Sequence, residues 1–541
     1  ELYAFGGRGD RNTDAFAFSR SAPGVDGDSR AVPSLYPDGF TPRITSKIVD
    51  NSVTAGVRHN LADGWKADVS HSYGSNSFHY FIRNTNNASL GAASPTSFDA
   101  GGHGLNMHVT SMDFSRYYQS VMGGLNVAFG TEFRSENFTI FAGEEGSYAT
   151  YDTAGVAITN PAIQVPFVNE FGQQAPGGSQ GFPGYSPANV VDEFRTNFGV
   201  YGDAELNLTD DFLVAGALRF ERYSDFGSTF NYKVATRYAL PMGLSLRASV
   251  SSGFRAPSLA QIHYNLVFNN IVAGTSVRTL LASNTSTVAK SFGIEPLKQE
   301  VAQNFAAGVT YQAGNLTATV DGYLIDVTDR IILTDYFDAT ALGVGVEAAQ
   351  FFANGVDTRT TGLDIILNYN QPLANESSLS VGVAGNFNNT EILAIKSGDL
   401  NEFTFFGPFS QAYLEAAAPD YKLNGMVSFT TPKFFASLTW TQYSAVILQD
   451  FQWVDAPATN QAEADALFAV ATDTYEAVGT LDLSVSYELF KNTRLTLGAN
   501  NILNTYPTPQ FDAWTDQGGF NDSVQMGSDG AYFFGRIGFA F

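Results

Sequence analysis

The sequence predicts an all-β fold, a transmembrane antiparallel β-barrel of about nineteen strands. Three observations carry that expectation. Apolar and polar residues alternate over segments of about ten residues, long enough for a tilted membrane crossing. Tight turns alternate with long connections. The composition is rich in Gly (52), Phe (45) and Tyr (25) but only 15% charged, against about 25% in ordinary soluble domains.

The elements follow in chain order. Tyr3 to Arg8 reads as the first strand, and the alternation of turns and loops makes it run toward the short-turn end. The pattern is clearest from Val200 onward. Val200, Gly202, Ala204, Leu206 and Leu208 share one face, with Tyr201, Asp203, Glu205 and Asn207 opposite. After Thr209–Asp211, Phe212, Val214, Gly216, Leu218 and Phe220 share a face against Arg219 and Glu221. Lys233 and Arg237 alternate with Val234 and Tyr238. Beyond Pro241–Gly243, Leu244, Leu246, Ala248 and Val250 oppose Ser245, Arg247, Ser249 and Ser251. The end of the chain repeats the pattern: Phe533, Gly535, Ile537, Phe539 and Phe541 form an apolar set, with a mixed set between them. Successive side chains of a strand point to opposite faces, so such alternation means one apolar face and one polar face. A bare terminal strand would be an adhesive edge, so this one is expected to be paired on both sides.

Turns are expected at Leu61–Gly64, Thr209–Asp211, Pro241–Gly243, Ala313–Asn315, Thr431–Lys433 and Lys491–Thr493. Long connections are expected at Phe138–Glu193, Arg255–Glu300, Thr328–Arg359, Thr390–Asp420, Ala445–Glu476 and Ile502–Gly530. Long structureless loops are uncommon in compact domains. Their alternation with tight turns puts all of them at one end, as in outer-membrane barrels with short periplasmic turns and long extracellular loops. A propeller or solenoid would show a repeated motif, and none is found.

Composition also excludes functions. Cysteine is absent, which removes disulfides, zinc-thiolate sites and a cysteine nucleophile. The formal charge of −24 opposes nucleic-acid binding, which needs clustered Lys and Arg. No apolar run reaches the ~18 residues of a spanning helix. A mean hydropathy of −0.07 fits a wall that is apolar on one side only. No signal peptide opens the chain, which reads as a mature or trimmed form.

Several stretches resemble the barrel of TonB-dependent outer-membrane receptors: SSGFRAPSLAQ (251–261), RFERYSDFGSTFNYKVATRY (219–238), IEPLKQEVAQNFAAGV (294–309), NGVDTRTTGLDI (354–365) and GANNILNTYP (498–507). The terminal Phe541 resembles that family's assembly signal. The resemblance implies a barrel of about 22 strands closed by an amino-terminal plug. Residues 1–541 would then all be barrel, with the plug, the TonB-contacting segment and the first three strands outside this sequence. It implies active uptake of a scarce nutrient (siderophore, cobalamin, oligosaccharide or peptide) coupled to TonB. Localisation would be the outer membrane of a Gram-negative bacterium. Partners would be outer-membrane lipid and lipopolysaccharide, the plug and TonB system, and the nutrient itself, with no cofactor. A passive porin-like channel is the alternative, and a secreted carbohydrate-active enzyme is a third reading.

Binding residues therefore matter more than catalysts. Loop aromatics are the candidate ligand contacts because rings offer large rigid surfaces: Tyr148, Tyr151, Tyr336, Phe337, Phe405, Phe406, Trp453 and Trp514. Phe167, Phe171, Phe351, Phe352 and Phe403 are weighed with them. The plain alternative is that such rings pack the loops together. Arg255 is the candidate plug or lumen contact, against a structural role at nearby carbonyls. Asp203, Glu205, Arg219, Glu221, Lys233, Arg237 and Arg247 read as a mutually neutralising ladder on the wall. Trp65 and Trp440 read as an interfacial girdle. His103 and His108, in what reads as a Gly-rich loop, lack a defined metal geometry. Asp335 and Asp338 lack a calcium-loop pattern. No Gly-x-Ser-x-Gly elbow or phosphate loop is found, so no catalytic residue and no enzyme is expected.

Overall fold

The computed structural model describes residues 1–25, 28–160, 162–272, 275–343, 345–416, 418–449, 458–511, 519–521 and 525–540. Among them one antiparallel sheet of eighteen strands dominates. Its strands are Leu2–Phe16, Arg43–Asn60, Lys66–Arg83, Ser97–Tyr118, Leu125–Phe141, Val191–Asn207, Phe212–Tyr223, Gly227–Leu240, Leu244–Arg255, Glu300–Ala313, Leu316–Leu333, Phe352–Pro372, Ser378–Ile395, Tyr421–Thr430, Phe434–Tyr443, Val478–Phe490, Thr493–Asn500 and Tyr532–Phe539. Each pairs with the next in this order, so the sheet is a continuous up-and-down meander.

Register turns the sequence alternation into two rows. Val57, Val69, Met112, Thr131, Val200, Phe220 and Phe230 are successive partners across seven strands. All but Thr131 in that row are exposed apolar side chains. One residue along, Arg58, Asp68, Asp113, Gly130, Tyr201, Arg219 and Asn231 form the adjacent row. A one-residue slip would exchange the rows, so burial and solvation fix the register together. Trp65 lies at the short-turn end, edge-on to Phe129 and Tyr118 with the Arg116 guanidinium near its ring. Trp440 sits in the apolar row between Gly425 and Leu481.

Three expectations need correction. The first strand pairs Leu2 with Val57 and Phe16 with Arg43, so it starts beside the 61–65 turn and runs toward the long-loop end. The count of eighteen, rather than about nineteen, is even. Connections 119–124 and 373–377 are further tight turns. Residues 224–226 make a three-residue turn on the long-loop side, so that edge is not made of long connections alone. Finally, Tyr532–Phe539 pairs with Thr493–Asn500 on one side only. The sheet stays open between its first and last strands. Phe541 lies outside the described residues.

The strands outrun the sequence-based boundaries. The wall continues to Leu333 and resumes at Phe352, so the connection there is 334–351 rather than Thr328–Arg359. The long connections also carry structure of their own. Leu266–Val272, Thr275–Leu281, Ala348–Gln350 and Phe337–Asp338 form a small sheet, and Val446–Gln449 pairs with Thr472–Tyr475. Pro408–Ala416 and Gln461–Ala471 are helices. Gly101 permits one departure from the wall: at φ +73° it sits beside the register shift at Tyr80–Phe81, and a Cβ there would lie 2.4 Å from the Phe141 carbonyl oxygen. Only glycine takes that conformation without strain.

Candidate functional site: loop rim and polar wall

Strand alternation places Arg134, Arg195, Arg219, Glu132, Glu136 and Glu221 on the polar face of adjacent strands. Arg195 is 6% exposed in its side chain and Glu136 14%. The Arg195 Nε donates to Glu136 at 2.7 Å, and its Nη1 donates to the Pro257 carbonyl at 2.6 Å. Asp225 stands 3.4 Å away. Arg134 bonds Glu132 at 2.9 Å, and Arg219 pairs with Glu221 and, at 3.6 Å, Glu132. Tyr223 and Asn197 donate to Glu221 at 2.9 and 3.1 Å. Burying a carboxylate is costly unless it is paired and hydrogen-bonded, and Glu221 has both. The bond to Pro257 ties this network to the GFRAP segment. Just beyond, Ser258 and Gln261 form a capping box on the short helix Leu259–His263.

The neutralising ladder is therefore real but partial. Arg219 and Glu221 belong to it, and Arg247 pairs with Asp321. Arg237 and Arg247 are instead direct register partners, because register is set by the whole strand and not by one charge pair. Arg255 ends its strand at the long-loop edge, where it forks onto Glu300 with a 2.8 Å bond from Nε. His103 and His108 lie in the strand Ser97–Tyr118, not in a loop. Their odd spacing sends them to opposite faces, where they cannot share an ion. His103 stacks on Phe78, and His108 lies against Tyr73 and His71.

Above this wall the connections build several packed clusters, a larger and a smaller one among them. In the larger, Phe337, Phe351, Phe405 and Phe406 are buried with Ile332 and Ala349. Asp335 fastens it: its carboxylate accepts the Gly407 amide at 2.8 Å and the Ser410 hydroxyl at 2.6 Å. Burial pushes the Asp335 carboxyl above its ordinary value, and those two bonds pull the other way. Asp338 bonds Thr340. Phe352 packs on Ile262, Leu297 and Ile331. In the second cluster, Phe167 packs against Val32, Ala88 and Ala175. Tyr151 is buried, bonding Glu145 through its hydroxyl, and burial with that carboxylate pushes its pKa up to about 12. Tyr185 and Tyr264 share a 2.8 Å hydroxyl bond beside Tyr80 and Phe182.

The structure thus divides the candidate aromatics. Phe337, Phe405, Phe406 and Tyr151 spend their surface on loop packing. Tyr336 is exposed and Tyr148 half-buried. Phe171 is exposed, with its ring over Gly24. Trp453 and Trp514 lie outside the described residues. Sequence reading missed the Arg195–Glu136 pair and the Asp335 fastening. The first was within reach, since Arg195 and Glu136 hold the polar parity of their strands. The second joins residues 72 and 75 positions apart, for which no local pattern exists.

An antiparallel meander with one apolar and one polar face, and with structured loops gathered at one edge, is the wall of a β-barrel receptor. Residues 2–502 match the family described as TonB dependent receptor-like, beta-barrel, and the chain belongs to that family. It is a family of receptors and transporters rather than of enzymes. Three solved structures share the fold. A ferric enterobactin receptor from Pseudomonas aeruginosa is 16% identical, covers 93% of this chain and 67% of its own, and gives a TM-score of 0.58. The siderophore receptor PirA from Acinetobacter baumannii is 14% identical, with 100% and 71% covered and a TM-score of 0.59. The pyoverdine receptor FpvA from P. aeruginosa is 13% identical, with 99% and 68% covered and a TM-score of 0.59. No curated protein matches the chain.

Proposed function

We propose that this chain is the wall and loop rim of an outer-membrane receptor that takes up a scarce nutrient by TonB-coupled transport. The observation that carries the reading is the segregation of faces together with structured loops at one edge, in a chain of this family. The apolar row faces lipid, and the polar row lines a lumen. The similar structures include receptors for siderophores, which makes a metal chelate the leading cargo class. The loop aromatics that keep solvent-exposed surface, Tyr148, Tyr336 and Phe171, are the proposed ligand contacts, and Trp453 and Trp514 stay with them as candidates. Arg255, held by Glu300 at the rim, would meet a plug or ligand only with its exposed edge.

We also propose that further strands and a plug complete the barrel. Both outer edges of the sheet carry unpaired backbone and exposed apolar groups: Leu2, Phe5 and Phe16 on one, Phe533, Ile537 and Phe539 on the other. Four more strands would bring eighteen to the 22 implied by the resemblance. The experiment is purification of the full-length protein from its native membrane, with mass spectrometry of what it retains and single-channel recording. A bound small molecule and a nearly closed pore are expected. An empty protein with a constitutively open pore would overturn the reading in favour of passive diffusion.

A further inference from the structure

The loop rim has an unusual charge economy. Segments 142–190, 444–477 and 501–531 hold fourteen Asp and Glu between them and no Lys or Arg. Segment 334–351 adds Asp335, Asp338 and Glu347, again without a base. The topology brings the described parts of all four segments, with nine of those fourteen acids, to one edge of the sheet. The opposite edge, made of tight turns, holds fewer charges and of both signs: Asp63, Asp210, Asp211 and Glu376 against Lys433 and Lys491.

Ion pairing sharpens the contrast. The acids of the wall are largely matched: Asp14 to Arg43, Asp68 to Arg58, Glu136 to Arg195, Asp321 to Arg247, Asp326 to Arg359. At the rim Asp28 is held by Arg30 and Asp225 lies near Arg195, but other acids stand alone. Among the described residues, Glu170, Glu402, Glu476 and Asp529 are exposed and form no ion pair. The remaining long connections supply only Arg20, Arg30, Arg278, Lys290, Lys298 and Lys396, of which Arg30, Lys298 and Lys396 are taken by Asp28, Asp329 and Asp357, so acids outnumber bases at the rim and leave it with a net negative field.

We infer that this rim sorts cargo by charge, admitting cationic or uncharged nutrient complexes and repelling anionic ones. The inference rests on the receptor reading and narrows its substrate class. The field acts before contact. Clefts lined by one sign of charge change encounter rates about 10- to 1,000-fold, and a Debye length of about 8 Å at physiological salt is close to the roughly 10 Å that two strand spacings set between neighbouring hairpins. A polyanionic ferric complex would have to be desolvated against that field. A cation, or a chelate with a free ammonium group, would be drawn in.

The test uses a matched series on one ferric trihydroxamate: the parent with its free amine, its N-acetyl form and its N-succinyl form, which are cationic, neutral and anionic. Binding to the full-length receptor is measured at low and physiological salt. The cationic form is expected to bind at least about tenfold more tightly than the anionic one at low salt, with the gap narrowing as salt rises. The variant carrying Glu170→Gln, Glu402→Gln, Glu476→Gln and Asp529→Asn should narrow it further. Equal binding, or a preference for the anion, would overturn the inference. A second measurement needs no ligand. The chain has no cysteine, so Val470→Cys on the rim and Met242→Cys on the turn edge each accept a single fluorophore. Caesium should quench the rim label more, relative to iodide, than the turn label. Equal ratios at the two sites overturn the inference even if none of the three chelates binds. The receptor reading stands or falls separately, on the co-purified ligand.

Discussion

At the scale of single residues, pairing governs what each charge can do. Asp28 shows it in the loop 17–42. Burial pushes its carboxyl up, yet the Arg30 guanidinium at 2.8 Å and the amides of Arg30 and Ser21 hold it below the ordinary carboxylate value. A carboxyl whose pKa is lowered by folding stabilises the fold at pH above its unfolded value of about 4. That contribution disappears as the pH falls through the lower folded value. The expected outcome is that pepsin begins to cut within 17–42 only as the pH drops well below 4. Asp28→Asn, which loses the charge but keeps the shape, should already be cut near pH 4, with the wall intact in both. Equal cleavage profiles for the two proteins would show that the clasp carries no weight. Sequence could not assign this role, because an Asp two residues before an Arg is as common on solvated surface as in a clasp. By contrast, the polar-face residues Arg219, Glu221 and Arg247 were legible, since alternation alone dictates their face.

At the scale of elements, periodicity and turn chemistry specify what is local, and tertiary contact decides the rest. Leu244–Arg255 was readable nearly to the residue: Pro241–Gly243 starts it and Pro257 stops it, a proline having no amide for the ladder. The strand Ser97–Tyr118 was not. Its glycines at 101, 102 and 104 imitate a loop, and only pairing with Lys66–Arg83 and Leu125–Phe141 makes HGLNMH extended. Helix Pro408–Ala416 lies within what sequence treats as a bare connection. It is held at its start by Asp335 and at Tyr413 by packing on Val446, Leu448 and Tyr475. Asp335→Ala leaves the Gly407 amide and the Ser410 hydroxyl without their acceptor, a cost of about 1–3 kcal/mol. The expected result is faster proteolysis confined to 396–420, with unchanged heat-modifiable migration of the barrel. Loss of the folded barrel itself would mean that Asp335 supports the wall rather than the loop.

At the scale of the whole molecule, the unresolved tension is the open sheet. Strand order, face alternation and the gathering of loops were all foreseeable, because a meander needs only local hairpins. Closure was not, since it depends on which two edges meet, and no sequence pattern marks an edge that another strand will cover. The proposal of four intervening strands makes a geometric prediction. Strands lie about 4.8 Å apart, so four of them would separate Leu2–Phe16 from Tyr532–Phe539 by about 24 Å around the wall. A disulfide needs Cα atoms within about 7 Å. In the cysteine-free full-length protein, Ala4→Cys or Gly6→Cys combined with Gly535→Cys or Ile537→Cys should therefore give no disulfide on oxidation. Leu497→Cys with Gly535→Cys, direct register partners, should cross-link readily as the reference. A disulfide between the first and last strands would mean that the eighteen strands close on themselves. The lumen would then be narrower than a 22-stranded wall allows, with less room for a plug. The rim charges would crowd closer, which strengthens the field at the mouth but removes the gated passage that the receptor reading requires.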